Sequence, residues 1–213
     1  MKNYKVITPL FPTYAQVKAM MKAVSGYSLK AVRNMITAIR DQTGTPQKPV
    51  DWSEPDLWIS ERLTGEDADI ARRIWDTDNH ILNPRHSYGC YLFLNYPQFE
   101  LMESTPDDTW QPTSRGQKFL QDDEKTLRSL DDQEGILQLL ELLAGREMSR
   151  RADLLPEWQA FLHQHSKFAS ASSVKSTLYS RLYNLIDRGM VTREGMSYCI
   201  TDTGRAWLGK ALP

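Results

Sequence analysis

One segment constrains the fold of this chain more than any other. Between Ser172 and Arg188, Val174, Leu178, Leu182 and Leu185 recur at i, i+4, i+8 and i+11, the spacing of a single helical face. Ser170, Ser172 and Ser173 offer N-caps for this helix, and Gly189 suits the left-handed residue that closes one. Two strand-like pieces follow, 190–193 and 197–201, joined by a tight turn at Glu194, Gly195 and Met196. Residues 202–208 read as a short closing helix capped by Asp202. Upstream, 135–143 is a strongly apolar helix, and 149–165 is a second one with Leu154, Leu155, Trp158, Phe161 and Leu162 as its buried stripe.

Three helices, a hairpin and a closing helix, in that order, predict a winged helix. The ending has a counterpart in the first half. Thr113, Gly116, Phe119 and Leu120 repeat the pattern of Thr201, Gly204, Trp207 and Leu208, a capping residue after Thr and an aromatic–Leu pair to close the core. Residues 99–103 and 109–113 would be the matching wing strands, with 105–108 at the tip. Asn83 and Pro84 would cap and open the matching long helix, which Pro97 stops. Residues 14–24, 29–42 and 67–75 also look helical, and 43–56, with three prolines, reads as a loop. The fold class expected is therefore mainly α with small β-hairpins, built as tandem winged-helix (helix-turn-helix) domains.

Charge places the expected boundary. Residues 122–134 carry 6 acidic and 2 basic side chains, whereas 135–213 carry 7 and 10 and residues 1–121 carry 14 of each. The expected organisation is an embellished winged helix over 1–121, an acidic linker over 122–134 and a second winged helix over 135–213. Apolar runs are too short for a membrane span. Cys90 and Cys199 are too far apart to suggest a disulfide framework or a zinc ribbon. The N-terminus lacks the apolar core of a secretory signal. A reduced, cytoplasmic protein without metal or cofactor is expected.

A winged helix meets double-stranded DNA by laying its third helix in the major groove. Ser176, Ser180, Tyr183 and Asn184 face away from the apolar stripe, with Lys175, Thr177 and Arg181 at its flanks and Ser173 at the helix start. Their hydroxyl, amide and cationic groups can bond bases and phosphates. Arg193, on the first wing strand, suits a phosphate or minor-groove contact. In the first half Asn83, Arg85, His86 and Ser87 occupy the corresponding helix start, and Arg72 and Arg73 on the preceding helix could hold the backbone. Trp52, Trp58, Trp75 and Trp158 are expected in the cores.

No catalytic constellation emerges, and an enzyme is not expected. Pro106-Asp107 followed by Asp123-Glu124-Lys125 spells the acidic pattern of a metal-dependent nuclease. That chemistry needs both acids on adjacent strands, and here one falls at a wing tip and the other in an acidic stretch. His163 and His165 are two apart on a helix and cannot form an i, i+4 metal pair. No metal ligand set is read, and His80 and His86 are taken as surface or cap residues.

The run from Leu155-Pro156-Glu157-Trp158 through Ser173-Val174-Lys175-Ser176-Thr177-Leu178 to Asp187-Arg188-Gly189 resembles the N-terminal DNA-recognition region of Mrr-like restriction endonucleases. The stretch from Asn83 with its following wing looks like that region's first winged helix. The resemblance implies a defence-related module that selects DNA by sequence or base modification. The sequence departs from those enzymes in lacking a nuclease domain, so a nuclease domain or subunit is an expected partner, as is a second copy of the chain. Two other readings stand beside it: a free-standing winged-helix transcription regulator, and a winged-helix protein–protein adaptor.

Overall fold

In a computed structural model of the protein, residues 4–41, 44–45, 48–49, 54–77, 84–168 and 170–209 are described, with the backbone alone at 40–41, 44–45, 48–49 and 84–86. They form two compact units: residues 14–121, and residues 122–213 together with 1–13. Among the described residues no helix is long and apolar enough to cross a membrane.

The first unit opens with α1 (Tyr14–Val24) and α2 (Leu29–Asp41), continues through the short strands β1 (Gly44–Thr45) and β2 (Lys48–Pro49), and adds α3 (Pro55–Arg62), α4 (Gly65–Trp75) and α5 (Pro84–Asn95). Helices α1 and α2 each pack on α4 and α5. The core takes Val17, Met20 and Val24 from α1, Ile70 and Ile74 from α4, and Phe93 from α5. A hairpin of β3 (Met102–Ser104) and β4 (Trp110–Pro112) and a closing helix α6 (Ser114–Leu120) complete it. Helix α3 corrects the expected loop at its end. Pro55 supplies a preset first helical position, and Trp58 and Ile59 bury one face. Trp158 in the other unit is also buried, Trp75 is half-buried, and Trp52 lies outside the described residues.

The second unit runs α7 (Glu124–Gln133), α8 (Ile136–Ala144), β5 (Ser149–Arg150), α9 (Arg151–His165), α10 (Ala171–Asp187), β6 (Val191–Glu194), β7 (Ser197–Ile200) and α11 (Asp202–Leu208). The sheet is antiparallel in the order β5-β7-β6, with Ser149 opposite Tyr198 and Val191 opposite Ile200. Leu139, Leu140 and Leu143 of α8, Leu154, Trp158 and Leu162 of α9, and the Val174/Leu178/Leu182/Leu185 stripe of α10 form the core. Ser170 caps α10, its hydroxyl accepting from the Ser173 N–H.

The segment 122–134 is not the solvated linker its acidity suggests. It folds as α7, capped by Asp123, whose carboxylate accepts from the backbone and hydroxyl of Thr126. Leu127 and Leu130 are buried. Three of the acids are spent on ion pairs: Asp132 pairs with Lys5, and Asp131 takes both terminal nitrogens of Arg188 at 2.7 and 2.9 Å and the Trp207 indole N–H at 2.8 Å. Glu134 is fully buried against Arg181. Gly135 then turns the chain directly into α8 at φ +70°, where a Cβ would lie within 3.0 Å of Phe161, Val6 and Trp158. Nor do residues 4–13 belong with the first unit. Val6 N–H donates to Gln133 O, Ile7 N–H to the Glu134 carboxylate, and Lys5 pairs with Asp132.

The repeated ending is a repeated structure. In the first unit Glu100 sits in the left-handed region (φ +50°), and the Thr113 hydroxyl donates to its carbonyl while accepting from Gly116 N–H. Thr113 N–H donates to Leu101 O. In the second unit Gly189 (φ +65°), Met190, Thr201 and Gly204 make the same set: Thr201 Oγ1 to Gly189 O, Thr201 N–H to Met190 O, and Gly204 N–H to Thr201 Oγ1. The glycines are required by close approach: a Cβ would come within 2.0 Å of Leu101 O at Gly116 and 2.3 Å of Met190 O at Gly204. The caps of α6 and α11 are therefore Thr113 and Thr201, one residue before the expected Ser114 and Asp202. Each threonine ties the start of the closing helix to the segment that leads into the hairpin through one hydroxyl.

Candidate functional site

Helix α10 has a wider buried arc than its apolar stripe suggests. Thr177, Arg181 and Asn184 line the other half of that arc, and all three are fully buried. The Thr177 hydroxyl donates to Ser173 O at 2.7 Å and accepts the Trp158 indole N–H at 3.1 Å. Asn184 donates to Pro12 O at 3.1 Å. Arg181, 0% exposed, donates to Glu134 O at 2.8 Å, to Thr8 O at 3.0 Å and to the Glu134 carboxylate, and its guanidinium lies 4.7 Å from the Phe11 ring centroid. Burial pushes the Glu134 carboxyl above its usual range, opposed by Arg181, the Thr8 hydroxyl and the Ile7 N–H. All three are expected from the sequence to touch DNA; instead Arg181 and Asn184 hold Thr8, Pro12 and Glu134 against α10, and Thr177 ties α10 to α9 through Trp158.

The solvent-facing side is rotated from the expected one. It carries Ser172, Lys175, Ser176, Tyr179 and Tyr183, the tyrosines 45% and 50% exposed. Ser176 and Ser180 turn their hydroxyls to Ser173 O and Thr177 O, both at 3.1 Å, and Ser180 and Ser173 are half-buried. Of the expected set in this unit, Lys175, Ser176 and Arg193 are exposed.

Lys175 and Arg193 meet two cations that periodicity does not single out. Arg150 of β5 and Arg151 at the start of α9 join them around a recess of about 430 Å³ between α9, α10 and the hairpin. Its apolar wall is Leu155, Leu178, Met196 and Tyr198. Among the described residues none of the four cations has a carboxylate partner within salt-bridge distance. Arg193 Nε donates to Gly195 O at 2.9 Å and its guanidinium lies 5.9 Å from the Tyr198 ring centroid, while Arg151 lies 5.6 Å from that of Tyr179. The recess depends on the two-residue pairing of β5 with β7, which carries Arg150 beside the hairpin.

In the first unit, Asn83 and His80 lie outside the described residues, as do the side chains of Arg85 and His86 at the start of α5. Ser87 is buried. Arg72 is exposed, 3.6 Å from Asp69, and Arg73 donates to Lys22 O at 3.3 Å and covers the Tyr27 ring. The nuclease-like spelling has no matching geometry: Asp107 is exposed beside the β3–β4 turn, and Asp123 caps α7. Cys90 is buried in α5, and burial pushes its thiol pKa up. Compared with protein families, curated proteins and solved structures, the chain matches none.

Proposed function

We propose that the second unit is a winged helix and that the chain is a double-stranded DNA recognition module. The observation that carries this reading is the row of Arg150, Arg151, Lys175 and Arg193, four cations without acidic partners among the described residues, beside the exposed side of α10. The order α8-β5-α9-α10-β6-β7 with sheet order β5-β7-β6 supports a winged helix. In this reading Ser176, Tyr179 and Tyr183 face the bases while Lys175 and the arginines of β5, α9 and β6 take phosphates. The matching Thr–Gly hydrogen-bond set supports a second winged helix in the first unit. The resemblance of 155–189 to restriction recognition regions supports a setting in which a nuclease acts on the DNA selected.

Fluorescence anisotropy with a random 20-base-pair duplex at low salt tests this. The wild-type chain binds, and the combined variant Arg150→Ala, Arg151→Ala, Lys175→Ala, Arg193→Ala, with an unchanged circular dichroism spectrum, loses most of the affinity. Equal affinity of the two proteins would contradict the reading.

A further inference from the structure

The shape of the cationic recess asks for more than a phosphate strand. Phosphates are met as well by cations on a flat surface, because their attraction is long-ranged and undirected. Here the cations surround a cavity of about 430 Å³, within the roughly 300–1,000 Å³ of small-ligand sites. Its wall is apolar: Leu155, Leu178 and the Tyr198 ring. Met196, 70% exposed at the hairpin turn, stands at its edge, an apolar side chain left in water. An apolar recess with a cationic rim is complementary to a ligand that joins a flat, weakly polar face to a phosphate. In DNA only a base supplies that face, and in a paired duplex the face is covered by its stacked neighbours.

Resting on the DNA-binding reading above, we infer that this recess takes one unstacked nucleotide, its base against Leu155, Leu178 and Met196 and its phosphate among Arg150, Arg151, Lys175 and Arg193. The nucleotide can come from a DNA chain or from solution, and the chemistry of recognition is the same. A base already out of the stack costs least to bring in, so a bulged base is the favoured source.

The test uses the full chain and three probes: a paired duplex, the same duplex with a single-nucleotide bulge, and a fluorescent nucleoside monophosphate. Ala152 lines the recess and is exposed, so Ala152→Trp obstructs the cavity without disturbing the core. Met196→Ser, at an exposed turn, is a second variant that removes part of the apolar edge. The wild type binds the bulged duplex about tenfold tighter than the paired one, the scale of one base stacked on a protein surface. Ala152→Trp abolishes that preference and leaves the paired duplex bound as before, and Met196→Ser reduces it. Equal wild-type affinity for both duplexes, or an unchanged preference in both variants, would overturn the inference while leaving the DNA reading intact. Binding of the monophosphate alone, lost in Ala152→Trp, would assign the recess to a free nucleotide and overturn the DNA reading instead. Binding of none of the three would overturn both.

Discussion

Replacing Arg181 by Met separates a DNA-reading arginine from one that holds the fold. The methionine roughly keeps the aliphatic volume but removes the guanidinium, which in the wild type satisfies the Glu134 carboxylate and the carbonyls of Glu134 and Thr8. Glu134 keeps the Thr8 hydroxyl and the Ile7 N–H, yet it loses its only countercharge among the described residues in a site with no exposure. Removing one partner of a buried ion pair costs about 3–5 kcal/mol. The second unit has of order 5–15 kcal/mol in all, so this variant sits near the threshold of folding. Exchanging Glu134 for Leu at the same time removes the stranded charge, and the double variant recovers at least half of the loss. Native-state hydrogen exchange on peptides covering 122–134 and 171–187 reads the effect in this unit alone. A loss under about 0.5 kcal/mol, the scale of an exposed substitution, would refute the reasoning. Unchanged protection with lost DNA affinity would return Arg181 to the role its helical position suggests.

The Thr–Gly hydrogen-bond set makes further predictions. Gly204→Ala drives a Cβ into Met190 O and costs about 1–3 kcal/mol in urea denaturation, as does Gly116→Ala against Leu101 O. Glu100 holds the left-handed position that Gly189 fills in the second unit, so Glu100→Gly raises the melting temperature of the first unit, by the equivalent of about 1 kcal/mol. In native protein, iodoacetamide labels half-exposed Cys199 well before Cys90, whose reaction waits for unfolding. Equal labelling rates would show that α5 opens readily.

Much of the second unit is legible in sequence because its elements obey simple periods. The α10 stripe, the Gly195 turn and the Thr201 ending each carry a local signal, and each lies within two residues of its place in the structure. What periodicity does not register is a polar buried face. Arg181 and Asn184 read as the exposed side of α10 because their partners, Thr8, Pro12 and Glu134, are at least 47 residues away in sequence, and Thr177 does so because its partner Trp158 lies on another helix. For the same reason α7 reads as a linker: Asp131 and Glu134 count as surface charge until Arg188 and Arg181 are known to face them. The cationic recess is hidden differently. A two-residue strand has no period, so nothing local places Arg150 on the same recess as Arg193.

The central claim is that Arg150, Arg151, Lys175 and Arg193 meet DNA phosphates and that the Arg181 side of α10 does not. The salt dependence of duplex affinity tests it most directly, because each phosphate contact contributes about 0.9 to the slope of log K against log salt. The slope becomes shallower by roughly 0.9 in Lys175→Ala and in Arg193→Ala, and by about 3–4 when all four are replaced. A slope identical to wild type in the fourfold variant, with binding retained, would contradict it.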